Sequence, residues 1–124
     1  DRRLVTSGWL ARLYQAGTEV HIRSVFLQGL LLMDEANRPE KFNCWQPLWD
    51  EWRSWLIDHE STPLQTCLGF VQSQPEISRI VLGVDSLQHL KEIIAASHLD
   101  SIAFPESLEC IDKALVNPAE WKKL

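Results

Sequence analysis

The sequence lacks long apolar runs, paired cysteines, metal-binding spacings and any excess of basic charge. The longest aliphatic run, Leu30 to Met33, is far short of the roughly 20 residues that cross a bilayer, and no basic segment with an apolar stretch opens the chain. Neither a membrane span nor a signal segment is expected. Cys44, Cys67 and Cys110 lie far apart with no CxxC, which argues against a zinc ribbon or a disulfide framework. They read as reduced thiols, buried as small hydrophobes in a cytoplasmic protein. There is no HExxH, and His21, His59, His89 and His98 do not pair by spacing, so no metal site is expected. Ser24, Ser54 and Ser86 lack the GxSxG context of a hydrolase elbow. The single tyrosine, Tyr14, falls on a helix face, where packing is its expected role. With 12 Lys and Arg against 17 Asp and Glu, the net charge of −5 argues against a nucleic-acid surface.

What is present fits one ordinary soluble domain: 124 residues, 45% hydrophobic and 23% charged. From Arg2 to Ala16, the spacing of Leu4, Trp9, Leu10, Leu13 and Tyr14 predicts a helix that stops at Gly17. Glu19 to Phe26 alternates as a strand, with Val20, Ile22, Ser24 and Phe26 on one face. Asp34 to Asn43 is polar, contains Pro39 and reads as a mobile surface loop. Asn43 is placed to cap a helix carrying Pro47 in its first turn, with an apolar face of Trp45, Leu48, Trp49, Trp52, Trp55 and Leu56. Thr62-Pro63-Leu64-Gln65 predicts a capping box and a helix that buries Leu64, Cys67, Leu68 and Val71 before Gln74-Pro75. A strand from Arg79 to Val84 follows. A helix from Ser86 is expected to bury Leu87, Leu90, Ile93 and Ile94. A last helix spans about Glu106 to Leu115 on Leu108, Ile111 and Leu115, and the chain is non-helical at Asn117-Pro118.

The order helix, strand, two helices, strand, two helices points to an α/β fold with parallel strands. Two parallel strands do not form an independently stable sheet, so the chain is expected to be a piece of a larger sheet or to complete its sheet with another chain. Within this frame, Ser78 to Glu92 forms a strand–Gly83–helix corner. Free N–H groups and the helix dipole there favour an anion, although every βα unit has such a corner. The tryptophans at 45, 49, 52 and 55 are either a packing stripe or a sugar-stacking platform, with packing the commoner outcome. The Asp58-His59-Glu60 run reads as a helix end at which the dipole favours His.

Four pieces in order, DRRLVTSGWL, IRSVFLQGLLL, RIVLGVDSLQHLKE and NPAEW, together resemble the C-terminal part of the bacterial aldo/keto reductases. These are NAD(P)-dependent oxidoreductases on a (β/α)8 TIM barrel. The resemblance covers residues 1–124 as one segment, from the sixth helix to the C-terminal tail. It implies that Val20 to Phe26 is the seventh strand and Ile80 to Leu82 the eighth. In the family, a Ser-Pro-Leu stretch with a following Gly lines the cofactor pyrophosphate. Ser24, Val25 and Phe26 take those places, followed by Leu27, Gln28 and Gly29, with Val25 replacing the proline. The family's phosphate and adenine contacts fall on Gly83, Val84, Asp85, Ser86, His89, Glu92 and Ile93. His89 stands where Gln or Arg is usual, and Ile93 where Asn is usual.

The resemblance also implies a cofactor preference. A 2′-phosphate seeks a nearby cation, a pairing worth about 4 kcal/mol at an effective dielectric of ~20. Lys91 is the only cation between Gly83 and Glu92, whereas Asp85 suits a ribose 2′-OH. NAD(H) is therefore expected over NADP(H), with a small-molecule carbonyl as substrate of the parent enzyme. The family's catalytic Asp, Tyr, Lys and His match nothing here, so the chain alone is expected to be inactive. The competing expectation is a non-enzymatic interaction module that self-associates through strand edges and the tryptophan stripe; a glycan binder is a third. On the first two readings the isolated chain is expected to be a homo-oligomer, because removal of neighbouring strands bares an edge and apolar faces.

Overall fold

The computed structural model describes residues 2–97 and 104–123. These form a mostly helical α/β arrangement around one pair of parallel strands. The expected first helix divides into α1 (Arg3–Thr6) and α2 (Trp9–Gln15). Gly8 adopts a left-handed φ of 74° and interrupts the run. The stop at Gly17 is as expected. Its N–H reaches the Tyr14 carbonyl and the Thr18 N–H reaches Leu13, the paired bonds of a Schellman motif. Tyr14 is exposed, contrary to a packing role.

The first strand is far shorter than its alternation suggests. β1 covers only His21–Ile22, paired in parallel with β2 (Arg79–Ile80) in the register His21 to Arg79 and Ile22 to Ile80. The alternation itself is right, with Val20 buried and Glu19, His21 and Arg23 exposed. The expected strands of Glu19–Phe26 and Arg79–Val84 stop early for a backbone reason. Ser24 enters the left-handed region at φ 60°, turning the chain away after Arg23 and leaving β2 no neighbour past Val81. On the outer side of β1, the His21 imidazole lies 3.0 Å from Glu19 and holds that carboxyl below its ordinary value.

The polar stretch before the next helix is more regular than a surface loop. It winds into 3-10 helices at Glu35–Asn37 and Glu40–Trp45 and inserts Phe42, 2% exposed, into the core. α3 (Gln46–Asp58) follows directly, so Trp45 rather than Asn43 occupies the N-cap, with no side-chain cap bond. Pro47 does lie in the first turn. The tryptophan stripe is packing: Trp49 and Trp55 are buried, and Trp45, Leu48, Trp52 and Leu56 are half-buried. Three indole N–H groups find acceptors, one of them far away in sequence. Trp49 donates to the Phe42 carbonyl at 2.8 Å, Trp45 to Asp112 at 3.0 Å, and Trp121 to the Leu115 carbonyl at 2.9 Å. The Arg38 guanidinium lies 4.4 Å over the Trp49 ring, where burial lowers its pKa.

α4 (Pro63–Gln72) starts with the expected capping box. The Thr62 hydroxyl accepts from the Gln65 N–H at 3.2 Å, and the Gln65 side chain accepts from the Thr62 N–H at 2.9 Å. α5 (Leu87–Ala96) opens at Ser86, whose hydroxyl accepts from the His89 N–H at 3.0 Å. Only Ile93 and Ala96 of α5 are buried. Leu87 (68% exposed), Leu90 and Ile94 (50%) face outwards, against expectation, because two paired residues per strand are too little sheet to cover a second helix face. The expected last helix is also divided, into a 3-10 turn at Glu106–Leu108 and α6 (Lys113–Val116). Asp112 caps α6 by accepting from the Ala114 N–H, which leaves Ile111 outside the helix and exposed. Asn117 is non-helical, and a 3-10 helix then runs over Pro118–Lys123.

Two apolar clusters hold the fold. One joins Leu30, Phe42, Trp49 and Leu115; the other joins Leu68, Ile93 and Ala96, with Val25, Phe26, Leu64 and Leu82 packed against it. Cys67 is buried as expected, but Cys110 is half-buried and Cys44 exposed; all three are free thiols. Among the described residues, no helix is long and apolar enough to cross a membrane, and no three His, Cys, Asp or Glu cluster as metal ligands.

Candidate functional site

Parallel strands deliver their following loops to the same end of the sheet, so the segments after β1 and β2 are neighbours. The second apolar cluster fastens them together: Phe26 from the first segment and Leu82 from the second both pack against the cluster of Leu68 of α4 with Ile93 and Ala96 of α5. The expected contacts divide here. Phe26 and Ile93 are committed to packing. Ser24 and Gln28 remain exposed, with the Gln28 amide donating to the Ser24 hydroxyl at 3.4 Å.

The turn after β1 is conformationally unusual. Ser24, Leu27 and Gln28 all have positive φ, as does Gly29 at 84°. Left-handed backbone in a non-glycine residue costs about 1–2 kcal/mol. Three such residues in one turn persist because Phe26 and Leu27 are anchored in the two clusters on either side. The turn therefore has a fixed shape, closed by bonds from the Leu27 N–H to Ser24 O and from the Leu30 N–H to Leu27 O.

After β2, Gly83, Val84, Asp85 and Ser86 are exposed and lead to the start of α5, with Ser86 in extended backbone. The Ser86 hydroxyl is used as the cap, which satisfies the His89 N–H. The N–H groups of Leu87 and Gln88 have no acceptor within the helix and remain available to an anion. His89 is half-buried, and Glu92 accepts from the Gln88 amide at 2.8 Å on the solvent face. Two exposed features therefore follow the strands: the turn Ser24–Gly29 and the corner Gly83–Ser86 at the start of α5.

The turn after β1 also borders a cavity of about 570 Å3. Its walls come from α1, the end of β1, α3, α4 and residues 104–118, and none of Gly83 to Glu92 reaches it. Cys67 stands in the wall, its thiol pushed up to about 12 by burial, so it is neutral and not a nucleophile at physiological pH. Sequence reasoning missed this cavity. Its wall joins residues more than 100 positions apart, such as Arg2 and Pro118, and no local pattern announces such a meeting. The polar position it could have flagged is Thr66, buried on α4 and bonded to the Ser61 hydroxyl at 2.9 Å.

No family model, curated protein or solved structure matches the chain.

Proposed function

We propose that this chain is the dinucleotide-holding, C-terminal portion of an aldo/keto-reductase-like oxidoreductase acting on a small-molecule carbonyl, with β1 and β2 as the seventh and eighth strands of a (β/α)8 barrel. The observation that carries this reading is the parallel pairing of β1 with β2, which puts the two following loops side by side. In such barrels a phosphate site is frequently built from those two loops. Ser24, Gln28 and Gly29 flank the pyrophosphate. Gly83, Val84, Asp85 and Ser86, with the first N–H groups of α5, receive the adenosine phosphate, while His89 and Glu92 border the adenine. The bound dinucleotide supplies the hydride; this chain's residues bind and orient it. Asp85 accepts from a ribose 2′-OH and repels a 2′-phosphate, so NAD(H) is favoured over NADP(H). The proton-transfer groups belong to earlier strands.

Dissociation constants of the longer enzyme for NADH and NADPH test this reading. NADH is expected to bind more tightly, and Asp85→Arg to shift the preference towards NADPH. Tighter NADPH binding by the unsubstituted enzyme overturns the preference. Carbonyl-dependent NADH consumption by these 124 residues alone overturns the assignment of chemistry to other strands. The exposed stripe of Leu87, Leu90 and Ile94 favours a second reading, a non-enzymatic module that self-associates. A stable oligomer that binds neither dinucleotide supports that alternative.

A further inference from the structure

The cavity beside the β1 turn has a charge character opposite to that of the chain. Acids outnumber bases by 17 to 12 over the sequence, yet the cavity wall holds two arginines, Arg2 and Arg23, and among the described residues no Asp or Glu. Arg2 is held in place, donating from Nη2 to the Pro105 carbonyl at 2.8 Å with its guanidinium 5.1 Å from the Phe70 ring centre. One fork nitrogen is thereby engaged and the group is fixed at the wall. Arg23 is exposed and makes no ion pair among the described residues. The remaining wall is largely apolar, with Trp49, Trp52, Phe70 and Phe104 providing ring surfaces. At about 570 Å3 the volume lies within the range of small-molecule sites, about 300–1,000 Å3.

We propose that this cavity binds an aromatic carboxylate, its ring among the tryptophan and phenylalanine side chains and its carboxylate on the guanidiniums of Arg2 and Arg23. Charge complementarity selects the anion, because guanidinium matches the planar fork of a carboxylate. The ring-lined wall selects the aromatic body. The cavity shares Ser24 and Gln28 with the proposed pyrophosphate site but not the Gly83–Ser86 corner, and the titration uses no dinucleotide, so its failure is distinguishable from failure of the reductase reading.

Calorimetric titration of the chain with 2-naphthoate, and with the neutral 2-naphthylmethanol as control, tests the proposal without added nucleotide. Saturable binding of naphthoate is expected, with the alcohol weaker. Arg23→Gln, a change at an exposed position, is expected to weaken naphthoate roughly tenfold, as loss of one charge-assisted hydrogen bond does, and to leave the alcohol unchanged. Arg23→Lys is expected to retain part of the affinity. Absence of saturable heat with naphthoate overturns the proposal. So does equal binding of acid and alcohol, or an Arg23→Gln variant that binds naphthoate as the parent chain does.

Discussion

Cys67 sits in the wall between α4 and the cavity, and burial lifts its thiol from an ordinary value of 9 to about 12. Between those values the folded chain keeps a proton that the unfolded chain has lost. The folded state then binds more protons, so this group leaves stability flat below pH 9 and lowers it as pH rises from 9 towards 12. Urea midpoints measured from pH 8 to 10.5 are expected to fall more steeply for the parent chain than for Cys67→Ala. Parallel slopes would show that the thiol ionises freely in the fold. Cys67 was legible as a core residue because it shares a helical face with Leu64, Leu68 and Val71. Phe42 was not, for it is the lone aromatic in a polar stretch and its burial depends on Trp49 and Trp121 arriving from elsewhere.

At the scale of elements, features set within a few residues were readable and features set by distant partners were not. The α4 capping box and the Gly17 stop need only neighbours in sequence, and both form where the pattern put them. Replacing Thr62 with Ala is expected to cost about 1 kcal/mol in urea unfolding. Because Thr62 and Gln65 cap each other, the loss in a Thr62→Ala, Gln65→Ala double variant should be smaller than the summed single losses. Strict additivity would mean that the two bonds act independently. The strand ends, by contrast, were hidden. Alternation from Glu19 to Phe26 fits an eight-residue strand, and only the anchoring of Phe26 and Leu27 in separate clusters explains why Ser24 turns away. The same limit applies to the candidate site: the corner at Ser86 is local chemistry, whereas the cavity wall is assembled across the whole chain.

For the molecule as a whole, the order of elements and the parallel sense of the strands were legible, because alternation and helical periodicity are local and their sequence dictates topology. What covers each face was not. The two-stranded sheet leaves outer edges open among the described residues, and Val81, Val84, Leu87, Leu90 and Ile94 are exposed on its β2–α5 side. Light scattering at micromolar concentration is expected to give at least twice the 14.3 kDa chain mass, and Leu90→Lys to move it towards one chain. A mass of one chain for the parent sequence would show that this surface is tolerated in water. The indole bonds described above bear on how the chain is made. Trp45 finds its acceptor 67 residues later, at Asp112, and the Phe42 ring is closed over by Trp121. During synthesis at about 5–20 residues per second, the aromatic face at the start of α3 therefore emerges several seconds before the segment that covers it, and for that interval its apolar surface is left open to water.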